Sequence, residues 1–268
     1  MTSWQKTIKY IAVAFAILLI VSIVGGIFSV IASLDFVFTN NNAEGETETY
    51  NINGEIDSLY IDISAAQLEI RTDDDFRVES NNKYLTVTEK DGKLKISEKK
   101  RLFGSYSGKV KVALYIPENT VFSVADIVTG AGKVTVESLS SQVLDMELGA
   151  GAAEIDSLNV TERADIDGGA GSIEIESGTI NGLKLDMGVG ELVLTSRLTG
   201  ECELDYGIGS ASLTLLGSKD DYRIDIDKGM GEAAIDGEKV SDGQIFGSGE
   251  NRIEIDGGVG EMKIRFEE

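Results

Sequence analysis

The stretch Ala164-Asp165-Ile166-Asp167-Gly168-Gly169-Ala170-Gly171-Ser172-Ile173-Glu174-Ile175 returns 19 residues later as Leu183-Lys184-Leu185-Asp186-Met187-Gly188-Val189-Gly190-Glu191-Leu192-Val193-Leu194. Apolar and charged residues alternate, a Gly-x-Gly interrupts them, and the alternation resumes. The same unit occurs at Gly130/Gly132, Gly149/Gly151, Gly169/Gly171, Gly188/Gly190, Gly207/Gly209, Gly229/Gly231 and Gly258/Gly260, in steps of 19, 20, 19, 19, 22 and 29 residues. Aligned on the first glycine, the column five residues earlier is Ala125, Leu144, Ala164, Leu183, Cys202, Ile224 and Ile253. The column three earlier is Ile127, Met146, Ile166, Leu185, Leu204, Ile226 and Ile255. Each unit therefore reads as a strand of period 2, a glycine corner and a second strand.

A unit of this length cannot bury its apolar face alone, whereas stacked copies can. The expected fold is all-β, a parallel β-helix or β-solenoid of ~19-residue coils, in which successive coils about 4.8 Å apart place Ile over Ile and Leu over Leu. Stacking in chain order would put Arg265-Phe266-Glu267-Glu268 at the far end. An antiparallel meander with Gly-x-Gly hairpins is the competing fold, but hairpins do not require matched columns. Proline would delete a ladder hydrogen bond in every coil, and the chain has one proline beside 31 glycines. The regular repeats occupy 123–268, and the last, longer step contains Gly237–Glu250, expected to protrude as a loop. Residues 58–122 alternate less regularly and form an irregular β region, with Ser64-Ala65-Ala66 standing where a Gly-x-Gly would.

The N-terminal part has a different grammar. Residues 10–34 hold no charge and as a helix would measure about 37 Å, enough to cross a hydrocarbon core of about 30 Å. This apolar run is longer than the ordinary core of a cleaved signal. Lys6 and Lys9 precede it and acids follow, which puts residues 1–9 in the cytoplasm and the rest outside, with the lipid bilayer as partner of a single-pass signal-anchor helix. Residues 35–57 read as a polar linker.

An anchor, an irregular β region ending in Ala113–Pro117, and Gly-x-Gly-x-apolar-x-apolar coils together resemble the bacterial "putative adhesin" domain. That domain belongs to the Toastrack group of β-repeat domains in membrane-anchored cell-envelope proteins, LiaG-like ones included. The resemblance covers residues 56–268. It implies an extracytoplasmic β-solenoid in the cell envelope, linked to envelope-stress or signalling membrane proteins, and it carries no catalytic residues across.

Composition sets limits. With 24 basic against 46 acidic residues, a net charge of −22, the chain as a whole repels a nucleic-acid backbone. It has no histidine and one cysteine, which removes His-dependent nucleophile systems, imidazole zinc sites, internal disulfides and thiolate clusters. No cofactor and no catalytic residue is expected. Cys202 falls in an inward apolar column, where a thiol packs rather than reacts.

The repeat sorts the acids into columns. Two residues before the first glycine stand Glu147, Asp167, Asp186, Asp205, Asp227 and Asp256, with Val128 ahead of them. Four before it stand Asp126, Asp145, Asp165, Lys184, Glu203, Asp225 and Glu254. Both columns alternate with apolar ones and point outward. Neighbouring carboxylates at about 4.8 Å repel by about 0.9 kcal/mol even in water. The six-residue column is accordingly either a solvated strip that keeps the β-structure soluble or a surface that collects divalent cations or cationic peptides. Carboxylates one coil apart approach the separation of a retaining glycosidase pair, but they recur on every coil, unlike a single catalytic cleft. A polysaccharide-processing enzyme is thus the weakest reading, and a structural or adhesive rod contacting partners through its loops is the main alternative to an interaction or sensing module.

One segment inverts the charge. Residues 83–111 carry nine Lys or Arg against three acids, whereas 112–268 carry eleven against 31. Lys95, Lys99, Lys100 and Arg101, next to Leu102–Tyr106, are candidates for contact with a polyanion or lipid headgroups; a solvated Lys-rich hairpin is the simpler reading and is preferred.

Overall fold

The computed structural model describes residues 46–99 and 110–268. The chain divides into two compact units, Met1–Asn40 and Asn41–Glu268, and all described residues belong to the second. The expected cytoplasmic segment 1–9, the span 10–34, most of the linker, and Lys100 and Arg101 with the loop that follows them lie outside the described residues. Among the described residues no helix is long and apolar enough to cross a membrane.

The described unit is all-β. In chain order the strands are β1 (Glu48–Asn51), β2 (Ser58–Asp73), β3 (Arg77–Ser80), β4 (Leu85–Lys90), β5 (Lys93–Glu98), β6 (Lys111–Pro117), β7 (Phe122–Val136), β8 (Leu139–Ile155) and β9 (Leu158–Ile175). They continue as β10 (Gly178–Asn181), β11 (Leu183–Thr199), β12 (Glu201–Leu216), β13 (Tyr222–Asp227), β14 (Met230–Ile235), β15 (Glu238–Lys239), β16 (Gln244–Gly247) and β17 (Asn251–Glu267). They hydrogen-bond into one long, mostly parallel sheet. The matched columns are ladders: Ala131 pairs with Ala150, Ala150 with Ala170, Ala170 with Val189, and Val189 with Ile208. The irregular β2 joins the same register, Ala65 facing Ala131 and Ala66 facing Gly132, so Ser64-Ala65-Ala66 does occupy a corner.

The inward columns are the core. Ile127, Met146, Ile166, Leu185, Leu204, Ile255 and Ile226 are all buried, each side chain contributing about 1.5–3 kcal/mol against the cost of ordering its coil. Glycine is required at the corner by geometry. Gly190 has φ +149°, and a Cβ there would run into the carbonyl oxygen of Gly171 on the preceding coil.

Four sequence expectations change. First, the stack does not follow chain order. β12 pairs in parallel with β17, and β17 pairs on its other side with β13 and β14. The coil of Gly258 therefore lies between those of Gly207 and Gly229, and Arg265–Glu267 belongs to that inner coil, paired with Thr214–Leu216 of β12. Column matching cannot see this, because Val259 faces Ile208 and Met230 equally well. Second, Gly237–Glu250 is not a protruding loop. It supplies β15, antiparallel to β14, and β16, antiparallel to β13, while Phe246 stacks on Phe266 at 5.7 Å. Fourteen residues reach about 45 Å when extended, ample for the chain to pass around the outermost coil and return inside it.

Third, several coils hold a further ladder that the two-strand reading omits. Leu139–Ser141, Leu158–Val160, Gly178–Ile180 and Arg197–Thr199 pair in parallel, with Leu139, Leu158, Ile180 and Leu198 buried. Fourth, strand structure begins inside the expected linker. β1 pairs antiparallel with β3, because Tyr50 and Ile52 offer a short apolar alternation that packs against the core. Between β1 and β7 the sheet mixes antiparallel pairs, β3 with β6 and β4 with β5, with parallel pairs of β2 to β5 and β6.

Candidate functional site

The carboxylate column is continuous in space although its last two members exchange places. Glu147 pairs with Asp167, Asp167 with Asp186, Asp186 with Asp205, Asp205 with Asp256, and Asp256 with Asp227. Each sits on a strand whose neighbouring residues point into the core, so the pleat alone turns the acids outward. Five of the six line an open groove of about 1060 Å³ that crosses successive coils. Glu147, Asp167, Asp186, Asp205 and Asp256 line it together with the corner glycines Gly130, Gly149, Gly169, Gly188, Gly207 and Gly258 and with Leu148, Met187 and Tyr206.

The apolar part of the groove comes from a column not singled out in the sequence, the residue just before each first glycine. It reads Thr129, Leu148, Gly168, Met187, Tyr206 and, in stacking order, Gly257 and Lys228. Met187 and Tyr206 are buried, and the two glycines give them room. A Cβ on Gly257 would meet the Tyr206 ring, and one on Gly168 would meet Ile173 Cδ1 and approach Met187. The alternation of glycine with large side chains in this column is the signal that would have revealed the groove.

The groove perturbs its acids. Asp205 is flanked by Asp186 and Asp256, and its Oδ1 is buried without a hydrogen-bond partner. Burial first, then the adjoining Asp186 carboxyl, then the charges of Asp256 and Glu203, push its pKa up to about 6. Asp167 is raised by burial and then by Asp165 and Asp186; Asp145, in the neighbouring column, is raised by burial and then by Asp126 and Asp165. The single basic residue of that column, Lys184, places Nζ 3.1 Å from Asp186 Oδ2, and this contact raises its own pKa. A cation held beside these carboxylates is thus already part of the structure, in covalent form.

The acids are spread one per coil. Among the described residues no three Asp, Glu, Cys or His side chains gather as a metal ion would need. Chemically the arrangement suits a linear array of positive charges better than one hard ion, which takes six to eight oxygens at one point. Of the basic candidates, Lys95 lies exposed on β5, and Lys99, also exposed, follows it with its N–H bonded to the Tyr84 carbonyl. Cys202 is buried, and burial raises its thiol pKa, consistent with packing.

No protein-family model matches the chain, and no curated protein does. Among solved structures it is similar to a "putative cell adhesion protein" from Clostridium sporogenes ATCC 15579, with 16% identity, 83% of this chain and 99% of that chain covered, and a TM-score of 0.36. It is also similar to a "putative adhesin" from Bacteroides fragilis NCTC 9343, with 16% identity, coverage of 81% and 95%, and a TM-score of 0.43. A third, a "putative lipid binding protein" from Parabacteroides distasonis ATCC 8503, shows 16% identity, coverage of 84% and 98%, and a TM-score of 0.32.

Proposed function

We propose that the chain is a membrane-anchored, extracytoplasmic β-solenoid that acts as an interaction or sensing module of the bacterial cell envelope, and that its binding surface is the acidic groove. The preferred ligand is an extended polycation, such as a cationic peptide of the kind that provokes an envelope-stress response. One observation carries the reading: five carboxylates from five coils line a single open groove together with the corner glycines and apolar side chains. A solvated strip needs charge but no groove. A cationic amphipathic chain could pair its charges with Glu147, Asp167, Asp186, Asp205 and Asp256 while covering the partly exposed Leu148. Anchoring rests on the uncharged run 10–34, and the non-enzymatic assignment on the repetition of the same carboxylate on every coil.

The test is titration of the purified full chain with a Lys-rich peptide, compared with the Asp167→Asn/Asp186→Asn/Asp205→Asn variant. Saturable binding that weakens about tenfold or more in the variant and with added salt supports the reading, since each exposed pair contributes about 0.2–1 kcal/mol. Equal binding by the variant removes the groove from the proposal.

A further inference from the structure

We propose that Lys184 sets the charge spacing of the ligand: it occupies the middle carboxylate of the acidic groove, so that the polycation which fits best carries two cationic pairs with uncharged chain between them. This rests on the reading of the groove as a polycation site. The two acid columns hold a single base. Lys184 stands where the adjoining coils have Asp165 and Glu203, and it is in register with both. Its Nζ lies 3.1 Å from Asp186 Oδ2. Asp186 is the third of the five acids that line the groove, with Glu147 and Asp167 on one side and Asp205 and Asp256 on the other.

Among the described residues none of these four flanking acids forms an ion pair with a basic side chain, and Arg163 reaches Asp165 of the outer column instead of a groove acid. The groove therefore presents two open acid pairs and one closed position between them. The bond to Asp186, and then the charges of Asp186 and Asp165, hold the Lys184 ammonium protonated more firmly than usual. A ligand cation brought to Asp186 must lie beside that ammonium or displace it, and two ammonium groups at contact repel even in water. Asp167 and Asp205 are two coils apart, about 10 Å. An extended chain rises about 3.3 Å per residue, so two uncharged residues between cationic pairs span the closed position. A chain with an unbroken run of cations sets a charge against Lys184.

The experiment is calorimetric titration of the purified full chain, at low salt, with two peptides of one composition and blocked ends, Lys-Lys-Gly-Gly-Lys-Lys and Gly-Lys-Lys-Lys-Lys-Gly. The wild type is expected to bind the gapped peptide about fivefold more tightly than the contiguous one. Lys184→Ala should remove the difference by tightening the contiguous peptide about fivefold, the scale of one exposed ion pair. Lys184→Glu should act in the same direction, and matching thermal unfolding shows that both variants remain folded. The proposal is overturned if the wild type does not prefer the gapped peptide, or if the preference survives in Lys184→Ala. The Asp167→Asn/Asp186→Asn/Asp205→Asn variant separates the two failures. If it binds both peptides as tightly as the wild type, the groove reading falls and this one with it. If it loses binding while the wild type shows no preference, only the role of Lys184 is refuted.

Discussion

Replacing Asp205 by asparagine should stabilise the protein at neutral pH and leave it unchanged in acid. The carboxyl is pushed to about 6 in the folded chain, against about 3.9 in an unfolded one. The folded state therefore holds this proton more tightly. Stability from this group is greatest below about pH 4, falls as the pH rises from about 4 to 6, and is flat above. Two units correspond to about 3 kcal/mol as an upper bound at about 1.4 kcal/mol per unit. The groove opens to solvent, and screening reduces the expected penalty to about 1 kcal/mol. Asparagine keeps the shape and removes the charge, so at pH 7 the variant should melt about 2–4 °C above the wild type, the usual scale for a domain of this size. At pH 4 the two curves should meet. The assay is thermal unfolding of the full chain followed by circular dichroism between pH 4 and 8. A variant that melts lower than wild type at pH 7, or that differs by the same amount at both ends of the range, refutes the account of Asp205 as a carboxyl crowded by Asp186 and Asp256.

Two further outcomes follow from the architecture. Gly190→Ala should cost about 3 kcal/mol or more, combining backbone strain at φ +149° with the approach of its Cβ to the Gly171 carbonyl. Gly237→Ala, at φ +81° with nothing within 4 Å of a new Cβ, should cost about 1 kcal/mol, and chemical denaturation distinguishes them. Removing residues 251–268 should abolish cooperative unfolding, because β17 is an inner coil between β12 and the β13–β14 coil; a truncated chain that still melts in one sharp transition would contradict that topology.

Much of the site was legible because a parallel stack turns sequence columns into spatial ones. Any residue two positions before a corner glycine must lie beside its counterpart, and so Glu147, Asp167, Asp186 and Asp205 could be placed together from spacing alone. The groove was not legible in the same way. It depends on which residues of the adjoining column bend over the corner, and on the space left for Met187 and Tyr206 by Gly168 and Gly257. The strand at Glu48–Asn51 was missed because four residues with one apolar member carry almost no period; its pairing to Arg77–Ser80 supplies what the segment lacks.

The sequence by itself determined the repeating unit, its inward aliphatic columns, its glycine corners and its outward acids, since these follow from local periodicity and from the steric demand at φ +149°. Only the tertiary structure decided the order of the last two coils. Identical columns fit any neighbour, so nothing local distinguishes Gly229 from Gly258 as the partner of Gly207. The choice falls to long-range closure. The chain from Gly237 to Glu250 wraps the Gly229 coil with β15 and β16, stacks Phe246 on Phe266, and leaves β17 to fill the slot between.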